Sequence, residues 1–216
     1  MKTAIQIVLW LLSIFFAYMI YKSISEPIVF DKIKKERYRD VISRLKDIRD
    51  VQEAHRVIKG KYESNFDKLI KFIENEKFVI TQQRDSSYME YDKTYRIDML
   101  KEVRIIDTLG FVSVKDSLFG DSDRYKRLMY VPHAKDDTKF EMKADIINNN
   151  GFRVPVFEAK VAKDVILYDQ PSDLKERENA LISVDEVNGT EIIVGSLTDV
   201  STSGNWPQIY DTKQRK

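Results

Sequence analysis

The apolar positions of the chain fall into three regimes. From Thr3 to Tyr21 the sequence is almost wholly apolar and carries no charge. Farther on, apolar residues recur at Tyr38, Val41, Leu45 and Ile48 and then at Val51, Ala54 and Ile58, the three- and four-residue steps of a helix face. Beyond Lys77 the period shortens to two, in short runs rich in β-branched and aromatic residues separated by turns. This succession predicts an α+β protein made of a transmembrane helix, a long helical stalk and a mainly antiparallel β-rich domain. The expected boundaries are 1–24, 25–59 and 60–216.

The first run, residues 3–21, reaches about 28 Å at the helical rise, close to the hydrocarbon thickness of a bilayer. Tyr18, Tyr21 and Lys22 suit the point where a spanning helix leaves the lipid, and Ser23-Ile24-Ser25 is a poor cleavage site, so an uncleaved signal anchor in the cytoplasmic (inner) membrane is expected. Lys2, directly at the lipid edge, favours a periplasmic distal domain, whereas the cations from Lys22 to Arg39 count the other way. Gln6, Ser13 and Ala17 share one stripe of the helix and are candidates for packing against a partner helix within the bilayer.

Pro27, following Ser25-Glu26, is expected to end one helix and open the next. All 7 glycines lie at or beyond Gly60. A helix from Ile28 to Lys59 would therefore project about 48 Å. On such a stalk the seam Tyr38, Val41, Leu45 and Ile48 would lack cover within the chain, and it is expected to bind other envelope proteins or a second copy through a coiled coil. Replacing Val41, Leu45 and Ile48 with Ser should then abolish that binding and spare the distal domain. Gly60 is the expected C′ residue, and Ser64-Asn65-Phe66-Asp67 is expected to open a short helix with Phe66, Leu69, Ile70 and Ile73 on one face.

A membrane helix, a proline, the run Asp47-Ile48-Arg49-Asp50-Val51-Gln52-Glu53-Ala54-His55, then Gly60-Lys61-Tyr62 and Asn65-Phe66-Asp67-Lys68-Leu69 resemble the N-terminal region of type IV pilin-like proteins, including the pseudopilins. The resemblance covers residues 4–75. It implies a helix that is both membrane segment and assembly element, in a filament subunit. No Gly-Phe-Thr-Leu-x-Glu-like cleavage site precedes the span, and Gln6 stands where that family has a glutamate.

In the distal part, strands are expected at Phe78–Thr81, Gly110–Val114, Leu128–Val131, Phe140–Ile146, Val154–Val161 and Glu191–Val194. Asn149-Asn150-Gly151 should close one hairpin, and Asn188-Gly189 should close a second between Leu181–Val187 and Thr190–Leu197. Pro155 demotes its strand to an edge or bulge. Ser86–Lys101, polar and Tyr-rich, is expected to be a loop with a partial helix.

Composition narrows the chemistry further. With 36 Lys and Arg against 35 Asp and Glu, the net charge of +1 supplies no field for nucleic acid. There is no cysteine, and only His55 and His133 offer imidazole. Phosphate-loop, dinucleotide, nucleophile-elbow and zinc-protease motifs are missing. His133 reads as an exposed loop residue, the acidic stretch Asp116–Asp123 lacks EF-hand spacing, and Trp206 is expected either to cover a core edge or to serve as a loop contact. The sequence thus points away from an enzyme and names no catalytic residue, metal or cofactor. It favours a membrane-anchored structural or scaffolding subunit of a bacterial envelope assembly. The alternatives are a tethered module binding an envelope sugar, peptide or lipid, and a pilin-like filament subunit.

Overall fold

A computed structural model describes residues 2–149 and 151–211. Helix α1, Lys2–Lys59, runs unbroken for 58 residues and contains Pro27, a length of about 87 Å at the helical rise. The expected break at Pro27 is therefore corrected. A proline deletes one backbone bond, to the carbonyl four residues back. That residue is Ser23, which is exposed, so water can satisfy the freed oxygen. No glycine or second proline lies between Lys2 and Lys59 to end the helix.

The two halves of α1 differ in surroundings. From Ile5 to Val29 the side chains are exposed, or half-buried at Ser25, and this part is long and apolar enough to cross a membrane. From Phe30 the helix enters the protein core. Tyr38, Val41, Leu45 and Ile48 are fully buried, together with Ile42 and Val51. The projecting stalk is thus corrected: its seam is covered by the chain itself. The boundary expected at residue 60 cuts through one hydrophobic cluster, which runs from Phe30 to Trp206.

Gly60, at φ 74°, ends α1 with its N–H bonded to the Arg56 carbonyl at 2.8 Å. Helix α2, Phe66–Asn75, follows, capped by the Asn65 carboxamide and burying Leu69, Phe72 and Ile73. Strands β1, Lys77–Asp92, and β2, Ile97–Ser113, form a two-stranded antiparallel hairpin of their own. Ser86–Lys101, expected as a loop, is its distal half and includes the turn. That turn has no glycine; instead the Asp92 carboxylate accepts from the N–H groups of Thr94 and Tyr95, and Arg96 takes φ 55°.

After α3, Val114–Leu118, come β3, Glu141–Asn149, and β4, Phe152–Ala162, joined where Asn149-Asn150-Gly151 predicts; Asn150 lies outside the described residues. Helices α4, Lys163–Ile166, and α5, Ser172–Ala180, precede β5, Glu191–Gly195, and the sheet order is β3-β4-β5. Pro155 lies in the central strand, opposite Ile146, but β5 pairs only with Glu158–Ala162, so β4 has one neighbour at the proline. Two expected strands do not form. Leu128–Val131 makes a single bridge, Tyr130 to Lys139. Leu181–Val187 is irregular because β5 takes β4 as its partner and the Asn188 side chain bonds the Ser183 N–H instead.

Phe157, Ala159 and Val161 of β4 and Ile192 and Val194 of β5 alternate inward and meet the buried face of α1.

Candidate functional site

Three structures, two on α1 and one on the β1–β2 hairpin, bear on what the chain can do. The first lies where the helix enters the core. Lys34, only 4% exposed, donates to Glu178 Oε2 and Glu186 Oε2, each at 3.1 Å, and pairs with Asp31 at 3.2 Å. The fully buried Lys163 donates to the Val187 carbonyl at 2.6 Å and to the Glu178 carbonyl and Oε1, each at 3.2 Å. Tyr38 adds its hydroxyl to Glu178 Oε1 at 3.2 Å. Both ammonium groups therefore have three acceptors apiece, the full capacity of lysine. Burial, and after it the Glu178 carboxylate, pushes the Tyr38 pKa well above the ordinary tyrosine value. Burial works against the charge on Lys34, but Glu178 and Glu186 outweigh it and raise its pKa.

Arg37 completes this junction by forking onto Asp169 at 2.6 and 2.8 Å and onto the Ile166 carbonyl at 2.8 Å. The guanidinium holds the Asp169 carboxyl below its ordinary range. Chemically the cluster is a lock. Its charges are mutually satisfied, and neither of the surface recesses described below opens onto it. It ties the emerging turn of α1 to residues about 140 positions later, as the Tyr38–Glu178 separation of 140 shows.

The second structure is a clamp at the other end of α1. The buried Gln52 pairs with the backbone of Glu63 through both halves of its amide, Nε2 to the carbonyl at 2.5 Å and Oε1 from the N–H at 3.0 Å. His55 Nδ1 lies 2.6 Å from the Lys61 carbonyl, and its ring is tilted against Phe72. Tyr62 is buried on Phe157, with Arg56 above its ring. Gln52 and His55 therefore hold the Gly60-Lys61-Tyr62 loop and Glu63 against the end of α1.

The third structure is the β1–β2 arm. Residues 79–91 and 93–102 are exposed, among them Met89, Tyr91, Tyr95 and Leu100. Its charges pair across the hairpin, Arg84 with Asp107 at 3.3 Å and Lys101 with Glu90 at 2.6 Å.

The residues singled out from sequence are scattered. Gln6, Ser13 and Ala17 stay exposed on the apolar part of α1. Tyr38, Val41, Leu45 and Ile48 are core, which corrects their reading as an open seam. Trp206 takes the core-edge reading in place of the loop contact: it is 8% exposed, joins the core and donates its indole N–H to Asp211 at 3.1 Å. His133 is a turn residue at φ 61° whose Nε2 meets Asp40 at 2.6 Å. Asp123 pairs with Lys126 at 3.0 Å. Among the described residues no group of three or more His, Asp or Glu is placed to hold a metal ion. One recess, of about 130 Å³, lies beside Arg56, Tyr62 and Pro155; another, of about 210 Å³, lies beside Arg44, Arg127 and Tyr130. Both fall short of the roughly 300–1,000 Å³ of typical ligand sites.

Sequence reasoning missed the junction cluster and the arm. Lys34 and Glu178 sit among other charges and carry no local sign of burial. The arm had a sign, the Asp92-Lys93-Thr94 turn chemistry between two alternating runs. The chain matches no protein-family model, no curated protein and no solved structure.

Proposed function

We propose that the chain is a single-pass membrane protein acting as a structural, non-enzymatic subunit of a cell-envelope assembly. Its distal domain lies on the periplasmic side of the inner membrane. The supporting observation is the unbroken α1, exposed and apolar from Ile5 to Val29 and core-forming from Phe30. A tethered binding module needs only a flexible link to its anchor. Here anchor and core share one helix, and Lys34, Tyr38 and Arg37 lock its exit point, so displacement or load at either end is passed to the other. Ion pairs and buried apolar area do this work.

A second reading, a filament subunit of the pilin-like kind, draws on the Gln52–Glu63 and Tyr62 contacts and on the same continuous helix. Alkaline carbonate extraction followed by purification in mild detergent tests both. Retention in the membrane and co-purification of partner proteins in fixed ratio are the expected results, and long homopolymers would favour the filament subunit. Release by carbonate, or a monomer thermally stabilised by an envelope sugar or peptide, would overturn the proposal. A periplasm-active reporter fused after Lys216 should be active, and activity from a cytoplasm-only reporter would reverse the orientation.

A further inference from the structure

We infer that the outer edge of β2 pairs, antiparallel and about a two-fold axis at Val103, with β2 of a second copy of this chain. The inference deepens the structural-subunit reading by naming one partner surface, and it rests on that reading for its biological setting. The arm is a two-stranded hairpin whose residues 79–91 and 93–102 are exposed. Isolated two-stranded hairpins are marginal in water, and a free edge offers a row of unpaired backbone groups to any strand that fits. The occupant follows from which strand fits.

In a symmetric antiparallel pair, facing residues must project from the same side of the sheet, so each residue meets its own copy or one an even number of positions away. Centring β2 on Lys101, Glu102 or Arg104 sets like charges against each other on the axis, which is unfavourable. Centring on Ile105 sets Val103 against Asp107, Arg104 against Ile106 and Glu102 against Thr108, and gains no ion pair. Centring on Val103 brings Glu102 opposite Arg104 and Leu100 opposite Ile106, each twice by symmetry, with Val103 against itself and Asp98 opposite Thr108. It also sets Lys101 against Ile105 and Met99 against Asp107, but those two charges keep their partners across the hairpin, Glu90 and Arg84. This register also stops before the irregularity where Ile80 faces Gly110 and Thr81 faces Thr108.

The other edge fits less well. On β1, axes at Arg84 or Asp85 oppose like charges, and an axis at Ser86 faces Arg84 with Tyr88 and gains no ion pair. Axes at Ser87 or Tyr88 set Arg84 against Glu90 or Asp92, but Arg84 and Glu90 already have partners across the hairpin, Asp107 and Lys101. The charges on β2 are also available. Glu102 faces Ser87 across the hairpin and has no cation partner among the described residues, while the Arg104–Asp85 contact is long, at 3.5 Å, with both side chains mostly exposed. Pairing would create a four-stranded sheet, β1-β2-β2-β1, with the Glu102–Arg104 and Leu100–Ile106 pairs on one face and Val103 meeting its own copy on the other.

The chain has no cysteine, so single cysteines report the register directly. In the full chain, in detergent and in liposomes, Val103→Cys should give a covalent dimer with a short bifunctional thiol reagent. Leu100→Cys and Ile106→Cys should each give little alone and a dimer when mixed. Glu102→Arg should reduce the Val103→Cys yield about tenfold, since two attractive pairs become repulsive, and adding Arg104→Glu should restore it. Absence of the Val103 dimer together with absence of the mixed Leu100–Ile106 dimer overturns the inference. So does equal cross-linking at Ser86→Cys, which would mark random collision, or protection of the arm cysteines by lipid without dimers, which would assign the arm to the membrane surface. Carbonate extraction reads the anchor independently, so failure here is distinguishable from failure of the membrane reading.

Discussion

Leu45→Ala separates the two possible roles of the helical stripe. If the stripe were an open seam, removing three carbons from Leu45 would leave the fold untouched and weaken only association. Leu45 is instead fully buried, in one cluster with Tyr38, Val41 and Ile48. Leucine-to-alanine changes at such sites cost about 2.7–5 kcal/mol, the spread reflecting how far the cavity collapses. With a urea dependence of about 2 kcal/mol per molar, the midpoint should fall by roughly 1.4–2.5 M. The triple change Val41→Ser, Leu45→Ser and Ile48→Ser goes further. Lost burial of about 1.5–3 kcal/mol each and an unpaired buried hydroxyl of about 1–3 kcal/mol each sum to about 8–18 kcal/mol, against a typical stability of about 5–15 kcal/mol.

The triple variant should therefore show no cooperative transition. Urea titration of the full chain in mild detergent, followed by Trp206 fluorescence in a Trp10→Phe background, is the assay. Val57→Ala, at a position 72% exposed on the same helix, is the control and should shift stability by no more than about 0.5 kcal/mol. A triple variant with the parental midpoint would refute the core assignment and return the seam to the surface.

Gln52→Leu should cost about 1–3 kcal/mol for each backbone group of Glu63 left unpaired, read as a lower urea midpoint, while Gln52→Ala should cost at least as much; no loss in either would remove the clamp. Tyr38 and Lys34 both have raised pKa values in the folded chain, so the folded state keeps protons that the unfolded state releases from about pH 10 upward. Their contribution is present in full below that pH and is lost as pH rises; midpoints measured from pH 8 to 11 should fall, and less steeply in Tyr38→Phe. Gly195→Ala should be destabilised by more than about 1 kcal/mol, because Gly195 holds φ +78° and an added Cβ would lie 2.2 Å from the Phe157 carbonyl oxygen, a loss visible in the same titration.

How much of this was legible in the sequence depended on whether the signal was local. Gly60 and Asn65 act through bonds to neighbours within four residues, and the helix ends fall where those residues place them. The Asn149-Asn150-Gly151 turn is local in the same way. The partner of β5 is not, since Gly189 takes the positive φ a turn needs while the strand it was expected to pair does not form. Tyr38 to Ile48 displayed its apolar face correctly, but periodicity says only that a face is buried and is silent on whether the same chain or another one covers it. Pro27 misled for a related reason. Its cost is a property of one backbone bond, and the exposed site at Ser23 together with favourable helix on both sides outweighs it.

The continuity of α1 carries a consequence that neither half has alone. Because Phe30 to Val51 form the centre of the core, the domain cannot lose contact with the apolar segment unless α1 itself breaks. Pro27, where one backbone bond is missing, is the weakest point between them, and Lys22–Glu26 at 3.3 Å and Lys35–Asp31 at 2.6 Å flank it as ion pairs one turn apart along the helix. Beyond it the buried lock of Lys34, Tyr38 and Glu178 resists the rotation that would otherwise let the domain swing about the helix axis. A subunit so built fixes the direction in which its arm leaves the helix, and that is the property an edge-to-edge contact at Val103 requires.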